Sequence, residues 1–495
     1  MNRAFGRRRH PTDGGAHLRE NRIVTVRRLI PFLIALITAG GALSNAADWV
    51  SEAGDAQQSG WQRRESILTP RTVKNIRMLW TRPLGEEPGR GALATPTILG
   101  HIITHRGIKE LVFATGNANT IYAIDADLGT VFWERTLTSR TDNREPPPGC
   151  KNEPMPAPVI TPSPAAQETA VDDEDDNDPA QGNRPVYALT SGGVVHEIHP
   201  STGSDIQDPR VLPSPPSGPL QVVLASGLLY GAERGCGESS GKVWALDFKE
   251  SGKARETQDA TPGATVAVGT GGTVYSLLDR ANSISVSSFA SRTLRMKDEY
   301  RPPDGDAGLS AAPPLVFTWK GREWVAVLSN DGRVLLLHAA SLGGTTHRSA
   351  AFRSDPLADK DGTRGSLNAL ASSEDARGTR WIYVASWNPS GGQIKAFTLG
   401  WKSGRPALIS AWNSRNLVRP SRPVVAGGVL YTLASAPDGH TILYALDAAS
   451  GEELYSSGNT VSATEHSSGV AVANGHVCFG ASGNSLFCFG IPFEP

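Results

Sequence analysis

Side chains suited to chemistry are sparse in this chain of 495 residues. Its four cysteines, Cys150, Cys236, Cys478 and Cys488, are never adjacent, and no Cys-x-x-Cys-His haem-attachment motif occurs. His196 and His199 are too sparse a set for a metal centre. The acidic run Asp172 to Asp178 offers carboxylates to calcium, but Asn177 stands where a calcium loop needs the glycine of its sharp turn. It reads as a solvated insertion over 164–184. The glycine-rich stretch from Val268 lacks the Lys and helix of a phosphate cradle. No catalytic residue and no metal site emerges. What remains is a scattered set of polar residues, Glu153, Asp306, Arg364, Arg419, Arg422 and His466. Each precedes a predicted strand, so each is a candidate ligand contact if those strands converge.

The elements that would make them converge are repeats. Thr120 to Trp133 reads TIYAIDADLGTVFW, Lys242 to Lys253 reads KVWALDFKESGK, and Thr441 to Tyr455 reads TILYALDAASGEELY. Weaker copies begin at Val194, Thr273, Val334, Gln393 and Ser485. Positions equivalent to Ala123 fall at 197, 245, 276, 336, 396, 445 and 488, a mean spacing of about 52 residues, close to a propeller blade. Asx-Gly turns such as Asp438-Gly439 and Asn474-Gly475 separate apolar, β-branched runs, which signals antiparallel hairpins. The spacing predicts an all-β chain, a single β-propeller of about eight four-stranded blades, with seven as the alternative because the Thr273 copy is irregularly spaced. The strand near Met78–Thr81 should complete the last blade, which otherwise ends without an outer strand. With 53 Gly and 35 Pro, long helices are disfavoured, while 11 Trp, 13 Phe and 9 Tyr supply a core. A net charge of −1 argues against nucleic acid as a partner.

The chain opens differently. Residues 1–28 carry eight Arg against Asp13 and Glu20, and an apolar stretch over 29–43 follows, ending in the small-residue site Ser44-Asn45-Ala46. This is the pattern of a signal peptide over 1–46, cleaved after Ala46 to place the rest in the periplasm or outside the cell. The alternative is an uncleaved helix over 29–47 that holds the protein to the inner membrane. Export places the cysteines in an oxidising compartment. Cys478 and Cys488 flank Ser482-Gly483-Asn484 symmetrically, so a hairpin centred there sets them opposite each other.

The residues 48–495 resemble bacterial exported pyrroloquinoline-quinone-like β-propeller repeat proteins, in the opening DWVSEAGDAQQSGWQ, the closing ANGHVCFGASGNSLFCFGIPFEP and the AxDxxTGxxxW signature. Asp125, Gly129 and Trp133 meet that signature best, and Asp447, Gly451 and Asp247 meet it in part. The resemblance implies that the Trp packs between blades while the Asp and Gly shape a turn. It also implies a bond between Cys150 and Cys236. Quinoprotein dehydrogenases of this superfamily hold their quinone against a disulfide of adjacent cysteines, beside a calcium, and that cysteine pair is missing here. The expectation is a binding or scaffold module without cofactor, engaging an unidentified protein or small molecule at the mouth of the axial channel. The alternative implied by the resemblance is a dehydrogenase of alcohols or sugars that uses pyrroloquinoline quinone and calcium.

Overall fold

The computed structural model describes residues 47–492 apart from 86–92, 117, 141–154, 164–183, 214–219, 234–240, 250–253, 258–260, 281–282, 358–365, 389–390 and 464–465. Expectations for the signal segment, Cys150, Cys236, Glu153, Arg364, the acidic run and the side chain of His466 fall outside the described residues.

Eight sheets follow one another along the chain, each built on four strands that run antiparallel to their neighbours, here A to D in order from the ring axis, and the seventh gains a fifth, parallel strand at its inner edge. Blades 1 to 7 span 97–136, 159–211, 220–256, 261–300, 315–353, 366–413 and 424–456. Blade 8 takes His466–Ala473, His476–Ala481 and Ser485–Gly490 as its inner strands and Arg77–Pro83 as its outer one. Trp80 stands opposite Cys488 and Thr81 opposite Phe487, so the start of the chain closes the ring as the repeat pattern predicts. First strands of consecutive blades touch one another, which places them innermost. Among the described residues no helix is long and apolar enough to cross a membrane.

The B strands bury both faces, because neighbouring blades cover both sides of each sheet. All six residues of His476–Ala481 and of Leu228–Glu233 are buried. Such strands read as continuous apolar runs rather than alternating ones. This explains one misplacement. The TVYSLL copy, in which Ser276 matches Ala123 by sequence, is the B strand of blade 4 (Val274–Arg280). The equivalent of Ala123 there is Ser288, which pairs with Tyr275 as Ala123 pairs with Phe113 and Ala445 with Tyr431. The correction replaces gaps of 31 and 60 residues (245 to 276, 276 to 336) by 43 and 48 (245 to 288, 288 to 336), and eight blades result.

Aromatic side chains on the outer strands key adjacent blades together. Trp133 stands opposite Ala123, and its indole meets Gly203 of blade 2, where a Cβ would lie 2.9 Å from the ring. Its Nε1 donates to the Pro200 carbonyl (2.8 Å). Trp80 of blade 8 repeats this on Gly129 of blade 1, donating to Ala126 O (2.7 Å). Trp412 of blade 6 does so on Gly451 of blade 7, donating to Ala448 O (3.1 Å). The aspartates build the receiving turns: Asp125 Oδ1 accepts from the Asp127 and Leu128 amides (3.1 Å each), and Asp447 Oδ1 from Ala449 and Ser450 (2.9 and 2.8 Å). Asp247 Oδ1 likewise accepts from Lys249 N (2.9 Å). The signature is therefore split across an interface, with Gly129 receiving one tryptophan while Trp133 reaches forward to another glycine. Trp133, on the outermost strand of its blade, is half-buried, whereas Trp412 is buried.

Cys478 and Cys488 are bonded across the hairpin of blade 8, with Cα atoms 4.1 Å apart.

Candidate functional site

Residues 47–62 make one circuit of the ring axis. The Ala47 amide donates to Asn474 Oδ1 of blade 8, Trp49 exchanges backbone bonds with Ile98 of blade 1, and Val50 O accepts from Ile160 N of blade 2. Gln58 Oε1 accepts from the Gln221 side chain of blade 3 (3.0 Å). The carbonyls of Ala56, Gln57, Ser59 and Gly60 then accept from Val268, Val316, Ser372 and Val425, on the innermost strands of blades 4, 5, 6 and 7. Trp61 and Gln62 add a parallel strand to blade 7, and Glu65 returns to blade 8 by accepting from Gly475 N (3.1 Å). None of residues 47–62 is exposed. Local chemistry fits this path. Gly54 holds a φ of 84° with its Cα against the Trp49 indole, where a Cβ would come within 2.8 Å, so only glycine is accommodated.

Of the polar residues expected at the channel mouth, the described Arg422, Asp306 and Arg419 lie in different surroundings. Arg422, just before the innermost strand of blade 7, reaches the circuit and donates from Nη1 to Gln58 Oε1 (3.0 Å). Its Nε and Nη2 are enclosed without a hydrogen-bond partner in the chain. Burial pulls its guanidinium below the usual arginine range, opposed by the charges of Glu52 and Asp55. Asp306 lies at the outer rim, paired with Arg353 of the outermost strand of blade 5 (2.6 Å), because it stands further from its strand along the connection. Arg419 is exposed, with a φ of 51° and its guanidinium 5.6 Å from the Trp387 ring centre. His196 is buried and held by Asp205 Oδ1 and Thr138 O (2.9 Å each), a structural role.

Two features escape the repeat pattern. One is an ionic cluster between blades 8 and 1, with His476 and Glu110 buried and Asp127 exposed, where His476 Nδ1 lies 3.3 Å from Glu110 Oε1 and its Nε2 3.3 Å from Asp127 Oδ1. Burial opposes the imidazolium, but hydrogen bonds and charge from Asp127 and Glu110 outweigh it and push His476 up to about 10. Burial raises Glu110, partly offset by His476. The His476 hydrogen bond holds Asp127 below the carboxylate range. The other is an apolar face. A and C strands run the same way, so A–B and C–D turns emerge together. There Ile103 and Ile108 (73% and 69% exposed), Leu128 (63%) and Trp401 (52%) stand in solvent. Trp401, near the C–D tip of blade 6, stacks at 5.1 Å on Trp319, at the A–B tip of blade 5. Arg106, Lys320, Arg322, Lys402 and Arg405 at these tips are exposed.

An eight-bladed ring with tryptophan keys and an N-terminal strand closing its last blade is the quinoprotein-like β-propeller fold. The chain has this fold in common with quinohemoprotein alcohol dehydrogenase from Comamonas testosteroni (TM-score 0.59, 14% identity, covering 93% of this chain and 82% of that one). It is similar to quinohemoprotein alcohol dehydrogenase from Pseudomonas putida HK5 (TM-score 0.57, 12% identity, 91% and 81%) and to a europium-containing methanol dehydrogenase (0.55, 12%, 90% and 98%). At such identities the likeness is one of fold. No protein-family model and no curated protein matches the chain. The chain carries no pair of adjacent cysteines. The bonded cysteines are ten apart in sequence and buried in the B and C strands of blade 8, away from the innermost layer. That layer carries the chain's own residues 47–62, and among the described residues no cluster of three His, Cys, Asp or Glu could hold a metal.

Proposed function

We propose that the protein is an exported binding or scaffold module that engages a protein partner through the face bearing its A–B and C–D turns. The observation that carries this reading is the placement of Ile103, Ile108, Leu128 and Trp401 in solvent on that face. Exposed apolar side chains rimmed by polar ones mark interaction surfaces on soluble proteins. The basic residues at the same tips favour a partner that combines acidic and apolar side chains. The circuit of 47–62 supports the reading from the other side, since it occupies the axis that a buried cofactor would need.

The test is site-specific photo-crosslinking in cells that export the protein. Crosslinkers at positions 103 and 401 are expected to trap one discrete protein, lost on Trp401→Ser. A crosslinker at Asp438, in a B–C turn on the opposite face, is expected to trap none. Equal capture from both faces overturns the reading. So does reduction of a dye with any alcohol or aldose once pyrroloquinoline quinone and calcium are added.

A further inference from the structure

Ala47 is the residue at which the chain enters the ring, and it is held at once. Its amide donates to Asn474 Oδ1 (2.7 Å), the Asn474 amide donates back to the Ala47 carbonyl (2.6 Å), and Ala47 is only 2% exposed. Asn474 adopts a φ of 45° in the A–B turn of blade 8, and its side chain also hydrogen-bonds Glu110. One side chain thus joins the backbone nitrogen of Ala47 to buried Glu110 and, through it, to His476.

Glu110 is the buried acid of that cluster: it shares one imidazolium with Asp127, which is exposed, and its Oε1 has no hydrogen-bond partner among the described residues. Of the neighbouring cations, Lys109 pairs with Asp125 (2.9 Å) and also acts on Asp127, while Arg184 pairs with Asp48 (2.9 Å). Glu65, also buried, accepts only from the backbone amides of Ile67, Leu68 and Gly475 in this region. Buried carboxylates short of a counter-charge are costly unless a cation reaches them.

We infer that this pocket is a binding site for the protein's own mature N-terminus, the α-ammonium of Ala47. Hydrolysis of the Ala46–Ala47 peptide bond consumes one water and leaves a carboxylate on Ala46 and an amine on Ala47 that takes up a proton. The nitrogen already bonded to Asn474 then carries a positive charge, with further N–H groups to direct at Glu110. Cleavage of the signal segment and completion of the buried cluster are on this account one event. The inference rests on the reading of the chain as exported.

Two measurements separate that reading from the pocket itself. N-terminal sequencing of the exported protein should give Ala47-Asp48-Trp49; any other start overturns the inference, and an uncleaved chain overturns the signal-peptide reading with it. A Gly-Ser insertion between Ala46 and Ala47 keeps export and the disulfide but moves the ammonium out of the pocket. The extended protein should melt about 3 °C lower, the shift expected when one partner of a buried pair is lost from a chain of this size. Glu110→Gln should lower the midpoint of the native-start protein by more than that of the extended one, in which Glu110 has lost the ammonium and keeps only His476. Equal melting of the two forms, or additive effects of insertion and Glu110→Gln, refutes the pocket.

Discussion

Replacing Gly129 by Ala tests the tryptophan key where its geometry is tightest. Gly129 has a φ of 64°, and a Cβ would fall 2.4, 2.6 and 2.8 Å from Cγ, Cδ2 and Cβ of Trp80. Backbone strain alone costs about 1–2 kcal/mol for a residue with a side chain. The clash adds more, because Trp80 cannot swing aside freely. Its strand is paired to Ser485–Gly490, its Nε1 bonds Ala126 O, and Arg82 Nε bonds the Gly129 carbonyl (2.9 Å). Displacing the indole forfeits a hydrogen bond worth about 1 kcal/mol and half-buried ring surface worth about 1–2 kcal/mol. The total is about 3–5 kcal/mol. Gly107 supplies the control, with a φ of 91° and nothing within 4 Å of a Cβ, so Gly107→Ala should show backbone strain only. Denaturant unfolding followed by tryptophan fluorescence measures both. In a double-mutant cycle, Trp80→Ala should recover part of the Gly129→Ala loss, since it removes the clash. If Gly129→Ala and Gly107→Ala agree within about 0.5 kcal/mol, the indole does not key the two blades.

Trp133→Ala should destabilise by about 2–3 kcal/mol, below the 3–5 of a fully buried aromatic, and a loss under about 1 kcal/mol contradicts the contact with Gly203. His476 binds its proton more tightly folded, at about 10, than in the unfolded chain near 6.5, so its stabilisation is complete below the unfolded value and fades as pH rises towards the folded one. Denaturant midpoints should therefore fall from pH 7 to 10, less steeply in His476→Gln; parallel pH profiles of the two proteins refute the assignment. Non-reducing peptide mapping should return a Cys478–Cys488 peptide and, as the family resemblance implies, a Cys150–Cys236 peptide. Four alkylatable thiols, or a link between Cys150 and Cys478, contradicts this pairing.

Local chemistry was legible in the sequence, and radial distance was not. Turn residues and apolar runs sufficed for blade number, for closure by Met78–Thr81 and for the hairpin that joins Cys478 to Cys488. Trp80 escaped because it precedes the first repeat and belongs to the last blade. Trp412 escaped because the long hairpin to Trp401 and Arg405 stretches its repeat beyond the usual spacing. Blade 4 was misaligned because its C strand, Ser283–Phe289, is serine-rich while its B strand mimics the motif. The polar residues before each strand share a position in sequence, yet Arg422 reaches the axis and Asp306 the rim. The His476 cluster joins residues from both ends of the chain, which no repeat period can reveal.

The same stretch of chain closes the ring twice, through Arg77–Pro83 at the rim and through residues 47–62 at the axis. The two closures act on different edges. The outer strand covers an exposed ladder of blade 8, while the circuit caps backbone groups on inner strands around the channel. Both depend on partners at the far end of the chain, as in the bonds between Ala47 and Asn474, separated by 427 residues. Blades are local hairpins with small loop-closure entropy, so their formation does not wait for such contacts. The circuit cannot be completed until the last repeat has docked. Its residues between Trp49 and Trp61 are mostly small or polar, which suits a segment that lies against the inner strands of successive blades. An axis closed in this way leaves a rigid platform whose outer faces, rather than its centre, are free for contact.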